Sequence, residues 1–343
     1  MSANDVRLGV VGYGYWGPNL VRNVAQAQGA ELVAVCDAKE ENRARFAKVY
    51  PNVPVESDLD DFFGRHEMDA VVVATPVVTH YDIALRVIEE GLHCFVEKPL
   101  AHDSASARRL VEAAAERGRV LMVGHLMEYH SAVEWIREYV SAPTSGIGDI
   151  LYLYSQRLNL GKVRREENSL WSLAPHDVSV ALYLLGEVPE SVSATGADYL
   201  QDGIEDVAFA TLHFPSGRLA NFHVSWLDPH KVRRFTLVGS EKMLVFDDMQ
   251  ATEKVWVYDK GVVPKEALSY GEDVDLRFGD ITVPFIEMRE PLAKEVSHFV
   301  ECCKTGKAPR SDGLDGLRVV RVLEAADESI KAGGAPVPLD LEG

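Results

Sequence analysis

Positive charge is scarce in this chain. Lys and Arg number 35 against 53 Asp and Glu in 343 residues, a net charge of −18 with neutral histidines. Such a surface repels phosphodiester backbones and anionic lipid, which excludes a general nucleic-acid or membrane-surface role. A small anionic ligand needs only a local gathering of cations. Cysteine is scarce too. Cys36, Cys94, Cys302 and Cys303 form no C-x-x-C pair, and the Cys302–Cys303 neighbours are badly spaced for zinc, so no metal site is expected. Cys36 and Cys94 lie in apolar runs and read as small buried hydrophobes, a usage that suits a reducing compartment. No stretch approaches the ~18–20 apolar residues of a transmembrane helix. The opening MSANDVRLGVVGYG lacks the basic and long apolar segments of a secretory signal. A soluble, cytoplasmic protein is therefore expected. Internal repeats and low-complexity tracts are missing as well. What remains is ordinary globular usage, 47% hydrophobic and 26% charged. The length suits two domains at roughly 150 residues each.

The first third alternates in type. Apolar runs at Val6–Val11, Glu31–Asp37, Ala70–Ala74, Cys94–Glu97 and Val120–Val123 are separated by helix-like stretches, including Tyr81–Glu90 closed by Gly91 and Ser104–Arg117. Near-continuous apolar strands alternating with helices predict a parallel sheet covered on both faces, an α/β doubly wound domain over residues 1–124. From there the pattern changes. Strands are predicted at 149–158, 207–214, 218–226, 231–238, 242–246 and 254–258, with Pro215-Ser216-Gly217 as a hairpin turn. A helix at 177–185 interrupts them, and helices at 291–303 and 313–331 close the chain. Residues 125–343 are expected to form an α+β domain with a large, mostly antiparallel sheet and helices on one face.

Gly12-Tyr13-Gly14-Tyr15-Trp16-Gly17 is G-x-G-x-x-G, placed after a strand and before a helix, and Asp37 ends the next strand 20 residues after Gly17. In that context the pattern is a dinucleotide fingerprint. Gly12 permits the tight turn, Gly14 lets the backbone approach a pyrophosphate, and Gly17 lets helix and sheet pack closely. The helix N-terminus offers free N–H groups to the phosphates. Asp37 is expected to accept from the ribose hydroxyls and to repel a 2′-phosphate, favouring NAD over NADP, although Lys39 and Arg43 lie nearby in sequence. Ala74-Thr75-Pro76 follows the third strand, on the edge that faces the ligand crevice of an open sheet. With His80 at the next helix start, it is either a cofactor contact or an ordinary βα turn.

Glu97-Lys98-Pro99 stands where the fourth strand ends. Lys98 would project toward a nicotinamide, where its ammonium can hold a hydroxyl and stabilise a developing alkoxide; the plain alternative is a surface lysine. Pro175-His176-Asp177 precedes an apolar helix. The positive helix end keeps His176 neutral, so the ring can take a hydroxyl proton, unless it is a satisfied core histidine. Asp177 either orients that ring or binds a sugar hydroxyl, or it is an N-cap. Arg157 to Arg165 carries four cations and no acid, fit for a diphosphate or a carboxylate, or else a solvated turn. Of Arg233 and Arg234, adjacent on one strand, at most one faces a site. Trp171 either walls the pocket or packs in the core.

These residues together resemble the glucose–fructose oxidoreductase / inositol dehydrogenase (Gfo/Idh/MocA) family. The resemblance runs through VVGYGYWG, ATPVVTH, EKPL, HDVSVALYLLG and the C-terminal EPLAKEVSHFVECCKTGKAPRSDGLDGLRVVRVLEAA. It implies a Rossmann domain followed by an open-faced sheet that supports homodimers or homotetramers, and catalytic roles for Lys98 and His176. NAD contacts are expected at the fingerprint, Ala74–Pro76, His80 and Glu97–Lys98, and substrate contacts at Arg157, Trp171, Asp177 and Arg233. Many members carry an aspartate four residues before this histidine; here the residue is Ser172, which weighs against an inositol substrate. NLGKVRREENSLWSLAPHDVSVALYLLG and SWLDPHKVRR resemble the branch that oxidises UDP-N-acetylglucosamine-type nucleotide sugars at C3. The alternatives are an NAD(P)H-dependent 3-ketosugar reductase and a cofactor- or sugar-sensing regulator without turnover.

Overall fold

The computed structural model describes residues 5–161, 163–264 and 274–341. In chain order the first elements are β1 (Val6–Val11), α1 (Gly17–Gln26), β2 (Ala30–Cys36), α2 (Glu40–Val49), β3 (Val55–Glu56), α3 (Leu59–Arg65), β4 (Ala70–Val73), α4 (His80–Glu89), β5 (His93–Glu97), α5 (Ser104–Glu116) and β6 (Leu121–Gly124). There follow α6 (Ser131–Ser141), β7 (Ile150–Leu158), α7 (Ser169–Leu173), α8 (Pro175–Leu185), β8 (Ser191–Ala197), β9 (Val207–His213), β10 (Leu219–Ser225), β11 (Val232–Gly239), β12 (Met243–Asp247), β13 (Val255–Pro264), β14 (Val274–Thr282), α9 (Pro291–Thr305), α10 (Gly313–Lys331) and β15 (Val337–Pro338). Among the described residues no helix is long and apolar enough to cross a membrane.

Sheet one runs β3-β2-β1-β4-β5-β6, with every pair parallel. The chain runs outward from β1 in one direction, then returns to place β4 on its other side. Ligands of open α/β sheets bind beyond the carboxyl ends of the strands at such a reversal. β4 and β6 are buried throughout, as strands covered on both faces must be. Gly9 in β1 has a packing reason: a Cβ there would meet the Met68 sulfur at 2.4 Å and Phe62 at 2.5 Å.

Sheet two runs β14-β13-β12-β11-β7-β10-β9-β8-β15, and only β7 with β10 is parallel. The predicted hairpin joins β9 to β10, with Gly217 at φ +84°. The short helices α7 and α8 pack on β7, β9 and β10. Opposite them the sheet leaves Tyr152, Tyr154, Phe209 and Leu219 exposed.

The compact units differ from a single cut after residue 124. Met1–Tyr129 joins Arg289–Arg321 in one unit, and His130–Met288 joins Val322–Gly343 in the other. Helix α9 therefore belongs with the parallel sheet and not with the second domain, and α10 is divided. The reason is hydrophobic. Leu292, Val296, Phe299, Val300 and Cys302 of α9 share one core with Val6, Leu8, Val10, Leu20 and Phe95. Phe299 meets Phe95 edge to face at 5.6 Å between centroids. Phe299→Ala should destabilise the first unit by about 3–5 kcal/mol, read as a lowered guanidinium midpoint; a loss below about 1 kcal/mol would contradict this core assignment.

Candidate active site

The turn after β1 is shaped by its glycines. Gly12 has φ +103°, and a Cβ there would lie 2.6 Å from the Ala74 carbonyl oxygen. A Cβ on Gly17 would lie 2.2 Å from the Gly12 carbonyl oxygen. Gly14 differs, with no described atom within 4 Å of its Cβ position. Two glycines are thus demanded by packing, and the third leaves backbone open where a pyrophosphate approaches. No side chain caps the first turn of α1, and Pro18 is its second residue. That arrangement fits a dinucleotide, with phosphate charge set at the positive helix end.

Tyr13 enters this turn through its backbone only. Its ring is buried against Phe46, edge to face at 5.1 Å, and the Arg45 guanidinium covers it. Its N–H donates to Asp37 Oδ2 at 2.7 Å. Asp37 also accepts from the Lys39 N–H at 2.8 Å and from Asn42 Nδ2 at 3.0 Å. A carboxylate has about four acceptor sites, so room remains for a ribose hydroxyl. Arg43 is tied to the main-chain oxygens of Asp37 and Ala38 at 2.9 and 2.8 Å. Tyr15 is fully exposed on the turn.

The carboxyl edge of the sheet continues through the turns after β4 and β5. Ala74 donates to the Val11 carbonyl at 2.8 Å, which brings the Ala74-Thr75-Pro76 segment beside the fingerprint. Glu97 ends β5, and its Oε2 accepts from the Lys98 N–H at 3.2 Å. The Trp16 indole donates to the same carboxylate. Trp16 therefore joins the fingerprint turn to the Lys98 turn. Burial raises Glu97 to about 7, against the opposing charge of Lys98. His80 departs from expectation. It is 1% exposed, and its Nδ1 and Nε2 meet the carbonyl oxygens of Pro99 and Thr75, each at 2.8 Å. It is held by protein on both sides, not presented to a cofactor.

Behind this edge lies a group of titratable side chains that sequence reasoning missed: buried His125, Glu128 and Glu295, with half-buried Asp315. Gly124 pairs with Glu97 across β5 and β6, and a Cβ on it would lie 3.1 Å from Glu97 Oε2. The next residue, His125, meets Asp315 Oδ2 at 2.6 Å and Glu128 Oε1 at 3.5 Å. Burial opposes a charged ring, but Asp315 and Glu128 outweigh it and raise His125 to about 10. Burial, and then Asp315, raises Glu128 to about 8. Glu295 is fully buried, and neither of its oxygens has a hydrogen-bond partner among the described residues. Burial and Glu97 push its carboxyl far above the usual range. Donor atoms of His125, Glu128 and Asp315 lie within 4.8 Å of one another. Tetrahedral ligands at zinc distances stand about 3.4 Å apart, so the 2.6 Å His125–Asp315 contact is the spacing of an ion-paired hydrogen bond.

The second unit holds the other expected residues. Pro175 opens α8, His176 follows in its first turn, and Gly186 closes it at φ +62°. The structure corrects the reading of Asp177 and Arg157. Asp177 is neither N-cap nor solvent-facing: Ser155 Oγ donates to it at 2.6 Å, and Arg157 Nε at 2.5 Å. Both Arg157 and Asp177 are buried, so each neutralises the other and neither is open to a substrate. Arg157 to Arg165 is not one cationic surface. Arg164 pairs with Glu167 at 2.8 Å, Arg165 is exposed, and Lys162 lies outside the described residues. Arg233 stands opposite Arg157 in the β7–β11 pairing, and burial followed by the Arg157 charge lowers its pKa. Arg234 lies on the other face, opposite Asp247. Trp171 is half-buried, and its indole donates to Asp327 at 2.6 Å. Asn168 joins Asp327 to Glu205, at 3.0 and 2.7 Å.

Known proteins resemble both parts of the chain. Residues 6–125 match the Gfo/Idh/MocA family model described as an oxidoreductase family with an NAD-binding Rossmann fold. Residues 148–245 match that family's C-terminal domain. A UDP-N-acetylglucosamine 3-dehydrogenase from Acidithiobacillus ferrooxidans is 29% identical over 323 residues, covering 92% of this chain and 94% of its own. The solved structure of the A. ferrooxidans enzyme GnnA of that name superposes with a TM-score of 0.80 at 26% identity, covering 96% and 98%. The scyllo-inositol 2-dehydrogenase (NAD+) of Bacillus subtilis is 26% identical over 99% of this chain and 98% of its own.

The buried acids set a pH dependence. Glu97 at about 7, Glu128 at about 8 and His125 at about 10 all hold protons in the folded state that the unfolded chain releases earlier. Stability should therefore fall as pH rises, from about 4.5 to 8 for the acids and from about 6.5 to 10 for the histidine. Glu295→Met, which replaces a buried, unbonded carboxyl with an apolar chain of similar size, should raise the melting temperature, and more at pH 9 than at pH 5. A lowered melting temperature at pH 9 would contradict the buried-acid assignment.

Proposed function

Because the chain belongs to the Gfo/Idh/MocA oxidoreductase family, we propose that it transfers a hydride between a sugar ring carbon and NAD. The observation that carries this reading is the Lys98 turn at the carboxyl edge of the sheet, joined to the fingerprint turn through Glu97 and Trp16. The substrate class we assign is a UDP-N-acetylglucosamine-type nucleotide sugar, oxidised at C3. Similarity along nearly the whole length to a UDP-N-acetylglucosamine 3-dehydrogenase supports it, as does Ser172 where inositol-oxidising members carry aspartate.

NAD, when bound, supplies the hydride acceptor. In the oxidative direction the substrate hydroxyl must also give up its proton to a base on the protein. His176, in the first turn of α8, serves as that base. Lys98 donates to the same oxygen and stabilises the charge that builds there. With Arg157 and Asp177 occupied by one another and Arg164 paired with Glu167, exposed Arg165 and half-buried Arg233 are the cations we assign to the diphosphate. The exposed Tyr152, Tyr154, Phe209 and Leu219 on one face of the second sheet support assembly of identical chains into a dimer or tetramer through that face.

Stoichiometric protein, NAD and UDP-N-acetylglucosamine or its uronic acid should give reduced-nicotinamide absorbance within a single turnover. Lys98→Ala should slow that step by at least about 100-fold, with NAD affinity held within a few fold. A Lys98→Ala rate near wild type would sink the assigned mechanism.

A further inference from the structure

We propose that His80 is a positioning residue: by bridging the main-chain carbonyls of Thr75 and Pro99, it fixes the turn from which Lys98 extends. This rests on the reading of Lys98 as the group that meets the substrate oxygen.

β4 and β5 pair in parallel as far as Val73 and Val96. Beyond that point the two chains part to form the crevice, and backbone pairing cannot hold them in register. His80 stands there, as the first residue of α4. Its two ring nitrogens reach one carbonyl from each chain, both at 2.8 Å, across a separation of 19 residues in the long-range contact. The ring thus extends the sheet's cross-linking past the last strand pair. It is 1% exposed, so bulk water does not substitute for either contact. Thr75 is further braced by Thr79, whose hydroxyl donates to Thr75 Oγ1 at 2.8 Å and sits one residue before His80.

The chemistry of the bracket is specific to imidazole. Carbonyl oxygens only accept, so holding both takes an N–H on each ring nitrogen, which only the imidazolium form has. Burial and the Lys98 charge oppose that form, and the two carbonyls favour it. No other side chain of this volume sets donors at both ends of so short a rigid plane. Asn and Gln place both donor hydrogens on one nitrogen. A misplacement of about 1 Å at a reacting group costs up to about 100-fold in rate, so a small relaxation of the Pro99 turn suffices for a large effect on Lys98.

Three variants test this. His80→Phe keeps the ring volume and removes both donors. His80→Ala leaves an imidazole-sized space. His80→Gln keeps one donor nitrogen. With wild type as reference, His80→Phe and His80→Ala should lower the single-turnover rate at saturating NAD about 10- to 100-fold. Free imidazole should restore His80→Ala, and 1-methylimidazole, with one nitrogen blocked, should not. Amide hydrogen exchange over residues 75–77 and 98–101 should rise in His80→Phe and remain unchanged in Lys98→Ala. Exchange needs no substrate. If wild type transfers no hydride to any sugar yet His80→Phe loosens both turns, the bracket stands and the assigned reaction falls. Wild-type rate and protection in His80→Phe would overturn the bracket. Should the variants fail to fold, ring ¹⁵N spectra of the wild-type protein decide: two slowly exchanging His80 N–H groups support the bracket, and a ring with a single N–H or with freely exchanging protons overturns it.

Discussion

Parallel strands stop with unpaired backbone groups at their ends, and the carboxyl edge of the first sheet is where this molecule must present open backbone without losing its shape. Side chains do what the ladder no longer can. Asp37 holds the fingerprint turn through the Tyr13 N–H. Glu97 takes the Trp16 indole and the Lys98 N–H. His80 takes the carbonyls of Thr75 and Pro99. These are hydrogen bonds between loops, short and largely shielded from water, and buried groups of this kind are costly to leave unmade. Three turns carrying the cofactor and catalytic candidates are thereby fixed to one another before any ligand arrives, which is the preorganisation that electrostatic catalysis requires.

The same edge explains the concentration of buried acids behind it. A carboxylate placed to bind Trp16 and face Lys98 sits away from water, and burial raises its pKa. His125, with Asp315 and Glu128, supplies the neighbouring charge, and Glu295 is buried close enough to respond to Glu97. In the second unit, burial has the opposite outcome for function. Arg157 and Asp177 lie on the covered face of β7 and in the first turn of α8, where an unpaired charge of either sign is prohibitive. Each neutralises the other and helps to seat α8, so two residues with the right chemistry for a substrate act as framework instead.

Much of the fold was legible in the sequence because period and punctuation agreed. The apolar runs of β1, β2, β4, β5 and β6 are four to seven residues long, are bounded by turn signals and alternate with amphipathic helices. β7, β9 and β10 announced themselves by alternation and by Pro215-Ser216-Gly217. β8 did not, because SVSATGA carries small and polar residues on a strand whose pairing comes from its neighbours. The short α3 and α7 lacked a full amphipathic period. The placement of α9 was not legible either, since its apolar stripe says only that it packs, not on which core. At the site, the fingerprint was readable from its spacing, whereas Glu97-Lys98-Pro99 read only as a lysine at a strand end until the family resemblance gave it a role. His80 was legible as a residue at a helix start, but its partners are two carbonyls, which leave no mark in a sequence. Arg157 and Asp177 read as ligands for the same reason, being 20 residues apart and joined only by the β7–α8 packing.

In the proposed reaction the carboxyl edge of this sheet directs a hydride from a nucleotide sugar to NAD. The most direct measurement is a single turnover with UDP-N-acetylglucosamine carrying deuterium at C3, followed by mass analysis of the nicotinamide. The account predicts one deuterium in the reduced cofactor and a slower rate than with the unlabelled sugar. Reduced cofactor without deuterium would contradict oxidation at C3, and label released only to solvent would contradict hydride transfer itself.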